Sequence, residues 1–60
     1  MDLKTGDRIV HNLTGQTFVI IGNAINTETG GICTVYRCEE DDFLRVRNAD
    51  DFDGFKKIDR

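Results

Sequence analysis

Short apolar runs alternate along this chain with clusters of glycine, asparagine, aspartate and threonine, a spacing that predicts strands rather than helices. Arg8 to Asn12 is the first strand segment, set up by a turn at Lys4-Thr5-Gly6-Asp7. Leu13-Thr14-Gly15-Gln16 has the residues of a hairpin loop. Thr17 to Ile25 is the longest run, and Gly22 inside it marks a bulge or bend where a small sheet curls. Asn26 to Gly31 forms a polar loop before a third strand, Ile32 to Arg37, rich in β-branched and aromatic residues. Glu39 to Asp42 turns the chain. Phe43 to Arg47 then alternates, with Leu44 and Val46 on one face and Arg45 and Arg47 on the other. Asn48 to Gly54 reads as a tight turn or short 3-10 segment, and Phe55 to Ile58 as a closing strand.

This layout predicts an all-β fold in a single domain over residues 1–60: a small five-stranded SH3-like barrel with a short 3-10 turn before the last strand. An OB-fold usually needs more residues and a real helix. Closure would remove the exposed edges that make small sheets aggregate. The expected core is Ile9, Phe18, Ile20, Ala24, Cys33, Val35, Leu44, Val46, Phe52 and Ile58. Each such side chain contributes about 1.5–3 kcal/mol on burial.

Sixty residues make a thin core, so the chain needs another source of stability. Its two cysteines, Cys33 and Cys38, stand five positions apart, on opposite faces of an extended strand and too distant for a disulfide. Beyond them the chain offers one histidine and no CxxC pair, too few ligands for structural zinc. No cofactor or metal is expected. Homo-oligomerisation is the remaining route to extra burial.

No run approaches a membrane span or the apolar core of a signal peptide, so the cytoplasm of a bacterium or an infected host cell is the expected location. Eleven acids against eight bases give a net charge of −3, which ranks nucleic acid behind other partners.

Several separated pieces keep a common register with a family of small uncharacterised bacterial proteins. Its members carry a His-Tyr-Lys-Gly start, an Ala-x-x-Ser-Glu-Thr loop, a Val-Val-Tyr strand and a Trp-Val-Arg-Pro segment leading to Met-Phe. The chain resembles that family through His11 and Gly15, then Gly22, Ala24 and Thr27-Glu28-Thr29, then Val35-Tyr36-Arg37, Leu44, Val46-Arg47 and Phe52. The resemblance spans roughly Gly6 to Phe52. One extra residue lies between His11 and Gly15, Arg45 stands in place of the tryptophan, and Asn48 in place of the proline. The resemblance implies a compact β fold and brings no activity with it.

Thr27-Glu28-Thr29 offers two hydroxyls and a carboxylate on a loop, next to glycines that free backbone N–H groups for a ligand. The same threonines can instead satisfy their own turn. Arg37, Arg45 and Arg47 would grip phosphate or carboxylate if they shared a sheet face. The alternative is that they pair with the acidic turn at Glu39 to Asp42, or with Asp50 and Asp51. Tyr36, alternating away from Val35, is an anchor for a partner or a cover for the end of the barrel. His11 is the one imidazole of the chain, yet no nucleophile or paired carboxylate accompanies it. Glu39 to Asp42 and Asp50 to Gly54 lack the oxygen spacing of an EF-hand.

Together these features predict a non-catalytic binding module. The first expectation is a homo-oligomer that binds or sequesters a small anionic ligand such as a nucleotide signal, with clefts built where copies meet. The alternatives are an SH3-like protein-interaction module and, behind it, a nucleic-acid binder.

Overall fold

The computed structural model describes residues 2–58, and every regular element within them is a strand. The strands are β1 (Arg8–His11), β2 (Thr17–Ile25), β3 (Ile32–Cys38), β4 (Leu44–Asn48) and β5 (Phe55–Lys57). They form one sheet in the order β4-β3-β2-β1-β5, antiparallel throughout. The bounds match the expected segments to within a residue.

The expected barrel closure and 3-10 turn are absent. Among the described residues β4 pairs only with β3 and β5 only with β1, so the sheet stays open. The segment joining these opposite edges makes two separate turns, closed by Asp51 N–H to the Asn48 carbonyl (2.9 Å) and Phe55 N–H to the Phe52 carbonyl (3.1 Å). A 3-10 helix needs consecutive bonds of this kind. Splitting the turns drops Phe52 into the core instead, where it is 5% exposed.

That core is Ile9, Phe18, Ile20, Tyr36, Cys38, Phe52 and Phe55, with Leu3 packed against it. Its aromatic rings meet mostly edge to face: Phe18 and Tyr36 at 5.3 Å, Tyr36 and Phe52 at 5.5 Å, Phe18 and Phe55 at 5.7 Å. Such contacts add about 0.5–1.5 kcal/mol beyond area burial. All of this lies on one side of the sheet, the inner face.

Register decides which residues reach it. Phe18 opposes Ile9 and Cys38, and Ile20 opposes Tyr36, which in turn opposes Arg45. Between Ile20 and Gly22 the pairing shifts by one residue, the bulge that Gly22 predicts. Past a bulge, side-chain parity reverses. Asn23, Thr34 and Arg47 therefore align with the inner face, while Gly22, Val35 and Val46 line the outer one.

Four expected core residues are displaced by this geometry. Ala24 follows the bulge and is exposed, Val35 is only half-buried, and Leu44 and Val46 are exposed. Of the two places open to Tyr36, it takes the buried one, because pairing with Ile20 fixes it to the inner face. Ile58 is half-buried, whereas Ile9, Phe18, Ile20, Cys33 and Phe52 are buried as expected.

Candidate functional site

The arginines divide between the two faces. Arg37 opposes Val19 and Leu44 on the outer side, whereas Arg45 and Arg47 belong to the inner side. They do not converge. Each is held by an aspartate nearby in sequence: Arg37 by Asp42 at 2.6 Å, Arg45 by both oxygens of Asp41 at 3.1 and 2.9 Å, and Arg47 by Asp51 at 3.1 Å.

Arg45 and Arg47 cover the rim of the aromatic core. The Arg45 guanidinium carbon sits 5.6 Å from the centroid of Phe18, and that of Arg47 lies 5.2 Å from Phe55. Arg47 also donates from Nε to the Tyr36 hydroxyl at 3.4 Å. A guanidinium over an aromatic face keeps its charge in water while its stem shields apolar surface. This is why a strand of alternating Leu-Arg-Val-Arg can turn its arginines inward.

The acids respond to these contacts. Hydrogen bonds from Arg45, then from the Phe43 N–H, hold the Asp41 carboxyl well below the usual range. On the far side of the sheet, Arg8 grips both oxygens of Glu39 at 3.1 and 2.8 Å. That grip, with help from Thr17, lowers the Glu39 pKa to about 2. The Tyr36 hydroxyl, ahead of Asp51, raises the pKa of Arg47.

The Thr27-Glu28-Thr29 loop is tied to itself. Asn26 Oδ1 accepts from the Glu28 N–H at 3.0 Å, and Thr29 Oγ1 accepts from the Gly31 N–H at 3.1 Å. Gly30 closes the hairpin in the left-handed region, at φ 74°, where a side chain is strained. Thr27 and Glu28 point away into solvent. Thr29 lines an open cleft of about 550 Å³ between this loop and the end of β4, together with Asn26, Ile32, Asn48 and Asp50. None of the three arginines lines that cleft.

His11 braces the first hairpin. Its Nδ1 accepts from the Thr14 N–H at 3.3 Å, and its ring meets Phe55 edge-on at 4.9 Å. Among the described residues, no group of three or more His, Cys, Asp or Glu is placed to hold a metal, and no buried side-chain nitrogen or oxygen lacks a partner. The buried polar atoms of the described inner face are thus all satisfied.

The outer face is different. Leu44 is 62% exposed and Val46 63%, with half-buried Val35 across from Val46, while Arg37 with its Asp42 separates Leu44 from Val19. Sequence alternation puts Leu44 and Val46 on one face but assigns them, with Val35, to the core. The available signal was the pair of aspartates, each four residues from an arginine of β4, which keep those arginines satisfied wherever the strand turns them. Compared with protein-family models, curated proteins and solved structures, the chain matches none.

Proposed function

We propose that the chain is a non-catalytic binding module that works as a homo-oligomer, with the outer face of β3 and β4 as its contact surface. Exposure of Leu44 and Val46 on a sheet of this size carries the proposal. Leu44, Val46 and Val35 form an apolar strip at the β4 border of the outer face, and a second copy set against that border supplies burial that a thin core lacks. The strand order, with β5 beside β1, supports reading the open sheet as SH3-like in its connectivity. A cytoplasmic setting suits the two free thiols.

The non-catalytic reading is supported by His11, whose Nδ1 is committed to the Thr14 N–H. A small anionic ligand such as a nucleotide is the second occupant we consider, at the cleft beside Thr29, which exceeds the roughly 300 Å³ such a ligand needs. Asp50 lines that cleft, and no lysine or arginine does among the described residues, so in this reading a neighbouring copy supplies the cation for the anion. A different protein partner at the same outer face is the third reading, and nucleic acid the last, given the net charge of −3.

Thermal unfolding at several protein concentrations tests the homo-oligomer. A melting temperature that climbs with concentration, and no longer does so in Leu44→Lys/Val46→Lys, is expected for subunits that bind only when folded. A melting temperature independent of concentration speaks against it. Adding a nucleotide panel to the same experiment tests the second occupant.

A further inference from the structure

We propose that copies of this chain associate by antiparallel pairing of β4 with β4 of a second copy, about a twofold axis at Val46, so that one sheet runs through both subunits. The inference rests on the homo-oligomer reading above and specifies how the copies meet.

Backbone geometry comes first. Ala49 N–H donates to the Ile32 carbonyl at 3.0 Å, and Cys38 N–H to the Phe43 carbonyl at 3.1 Å. In an antiparallel ladder, bonded pairs alternate with non-bonded ones. Between those two bonds the register makes Arg45 and Arg47 the residues bonded to β3. The N–H and C=O groups of Leu44 and Val46 and the N–H of Asn48 therefore point to the free edge, where no strand pairs among the described residues, while the Asn48 carbonyl is already taken by the Asp51 N–H at 2.9 Å and leaves the Val46 pair as the centre of the seam.

The two edges of the sheet are built differently. β5 is three residues long and carries Lys56 and Lys57, the devices that keep an edge from pairing. β4 is five residues long, has no lysine or proline, and shows Leu44 and Val46 on its outer side. Only β5 is protected by short length and lysines.

Inward-pointing charges also blunt edges, and β4 has two. Here they are neutralised in a pattern symmetric about Val46. Arg45 and Arg47 flank it at one residue, and their partners Asp41 and Asp51 lie five residues away on either side. Twofold pairing sets the Arg45–Asp41 ion pair beside the partner's Arg47 with its own aspartate, a charge-balanced cluster on each side of the axis. On the outer face Val46 meets the partner's Val46, flanked by Leu44 of each copy. A twofold contact requires such a self-complementary strip.

Two substitutions at one position separate this seam from other contacts. Val46→Pro removes the edge N–H while sparing the bonds to β3, as proline is tolerated on edge strands. Val46→Thr keeps that N–H but trims apolar surface. On a sizing column with light scattering, wild type and Val46→Thr are expected as dimers and Val46→Pro as a folded monomer. A dimer in Val46→Pro overturns the seam yet leaves the homo-oligomer standing. A monomeric wild type overturns both. Should Val46→Pro fail to fold, amide exchange in the wild type decides. The Val46 N–H is expected to exchange at least about tenfold more slowly in concentrated than in dilute protein, and fast exchange at both concentrations overturns the seam.

Discussion

Arg47 lies over Phe55, its guanidinium carbon 5.2 Å from the ring centroid, and donates to the Tyr36 hydroxyl beneath. A charged residue thereby finishes an aromatic core that the chain is too short to cover with apolar groups. Arg47→Ala is expected to destabilise the fold by about 1 kcal/mol, from the lost cation–π contact and stem packing. In a domain of this length that lowers the melting temperature by about 4–8 °C. Asp51→Ala removes only an exposed ion-pair partner and should cost less. Equal losses in the two variants would mean that the ion pair, not the ring contact, holds Arg47.

The two faces of the sheet should answer truncation differently. Ile20 is 2% exposed in the core, and Ile20→Ala is expected to cost about 2–5 kcal/mol, enough to unfold much of the population of so small a domain. Leu44→Ala, at a residue 62% exposed, should stay within about 0.5 kcal/mol when measured in dilute protein. Denaturant titration of both variants checks this, and a large loss at Leu44 would place it back in a core.

Acid should weaken the fold through its gripped carboxylates. Arg8 lowers the Glu39 pKa from 4.5 to about 2, and Arg45 holds Asp41 below its ordinary 3.8. A depressed carboxylate stabilises the fold above its unfolded pKa, and that contribution is lost as pH falls through the folded value. The melting temperature should therefore drop as pH is lowered from about 4.5 towards 2, and Glu39→Gln should flatten part of the slope. A wild-type profile indistinguishable from that of Glu39→Gln would remove the Arg8–Glu39 pair from the explanation.

Both thiols should be inert in the native protein. Cys38 is fully buried and Cys33 is 5% exposed, on opposite faces of β3. A thiol reagent is expected to react only at the rate of unfolding, and denaturant should release both cysteines at once. Prompt labelling of Cys38 without denaturant would show that the inner face opens locally.

Local chemistry carried the strand layout. Turn residues at Lys4 to Asp7, Leu13 to Gln16 and Asn26 to Gly31 bound the strands, and Gly22 signalled the bulge in β2. Orientation was harder to read. Alternation in β4 separates Leu44 and Val46 from Arg45 and Arg47 without saying which pair faces inward. The answer lies in pairing: Ile20 fixes Tyr36 inward and Tyr36 fixes Arg45, a chain of long-range contacts that hydropathy alone assigns the wrong way round. The same bulge that Gly22 announced also carried Ala24 to the outer face, a consequence that follows only once its partner strand is known. At the candidate residues, the sequence supplied the acids that hold the arginines, but not the split that puts Arg37 on one face and Arg45 and Arg47 on the other.

The most direct test of the outer face as a self-association surface is solution mass by light scattering, for the wild type and for Leu44→Lys/Val46→Lys. Twice or a higher multiple of the 6.8 kDa chain is expected for the wild type, and a single folded chain for the variant. A wild type that stays at the mass of one chain into the millimolar range, or a variant that assembles equally well, would contradict it.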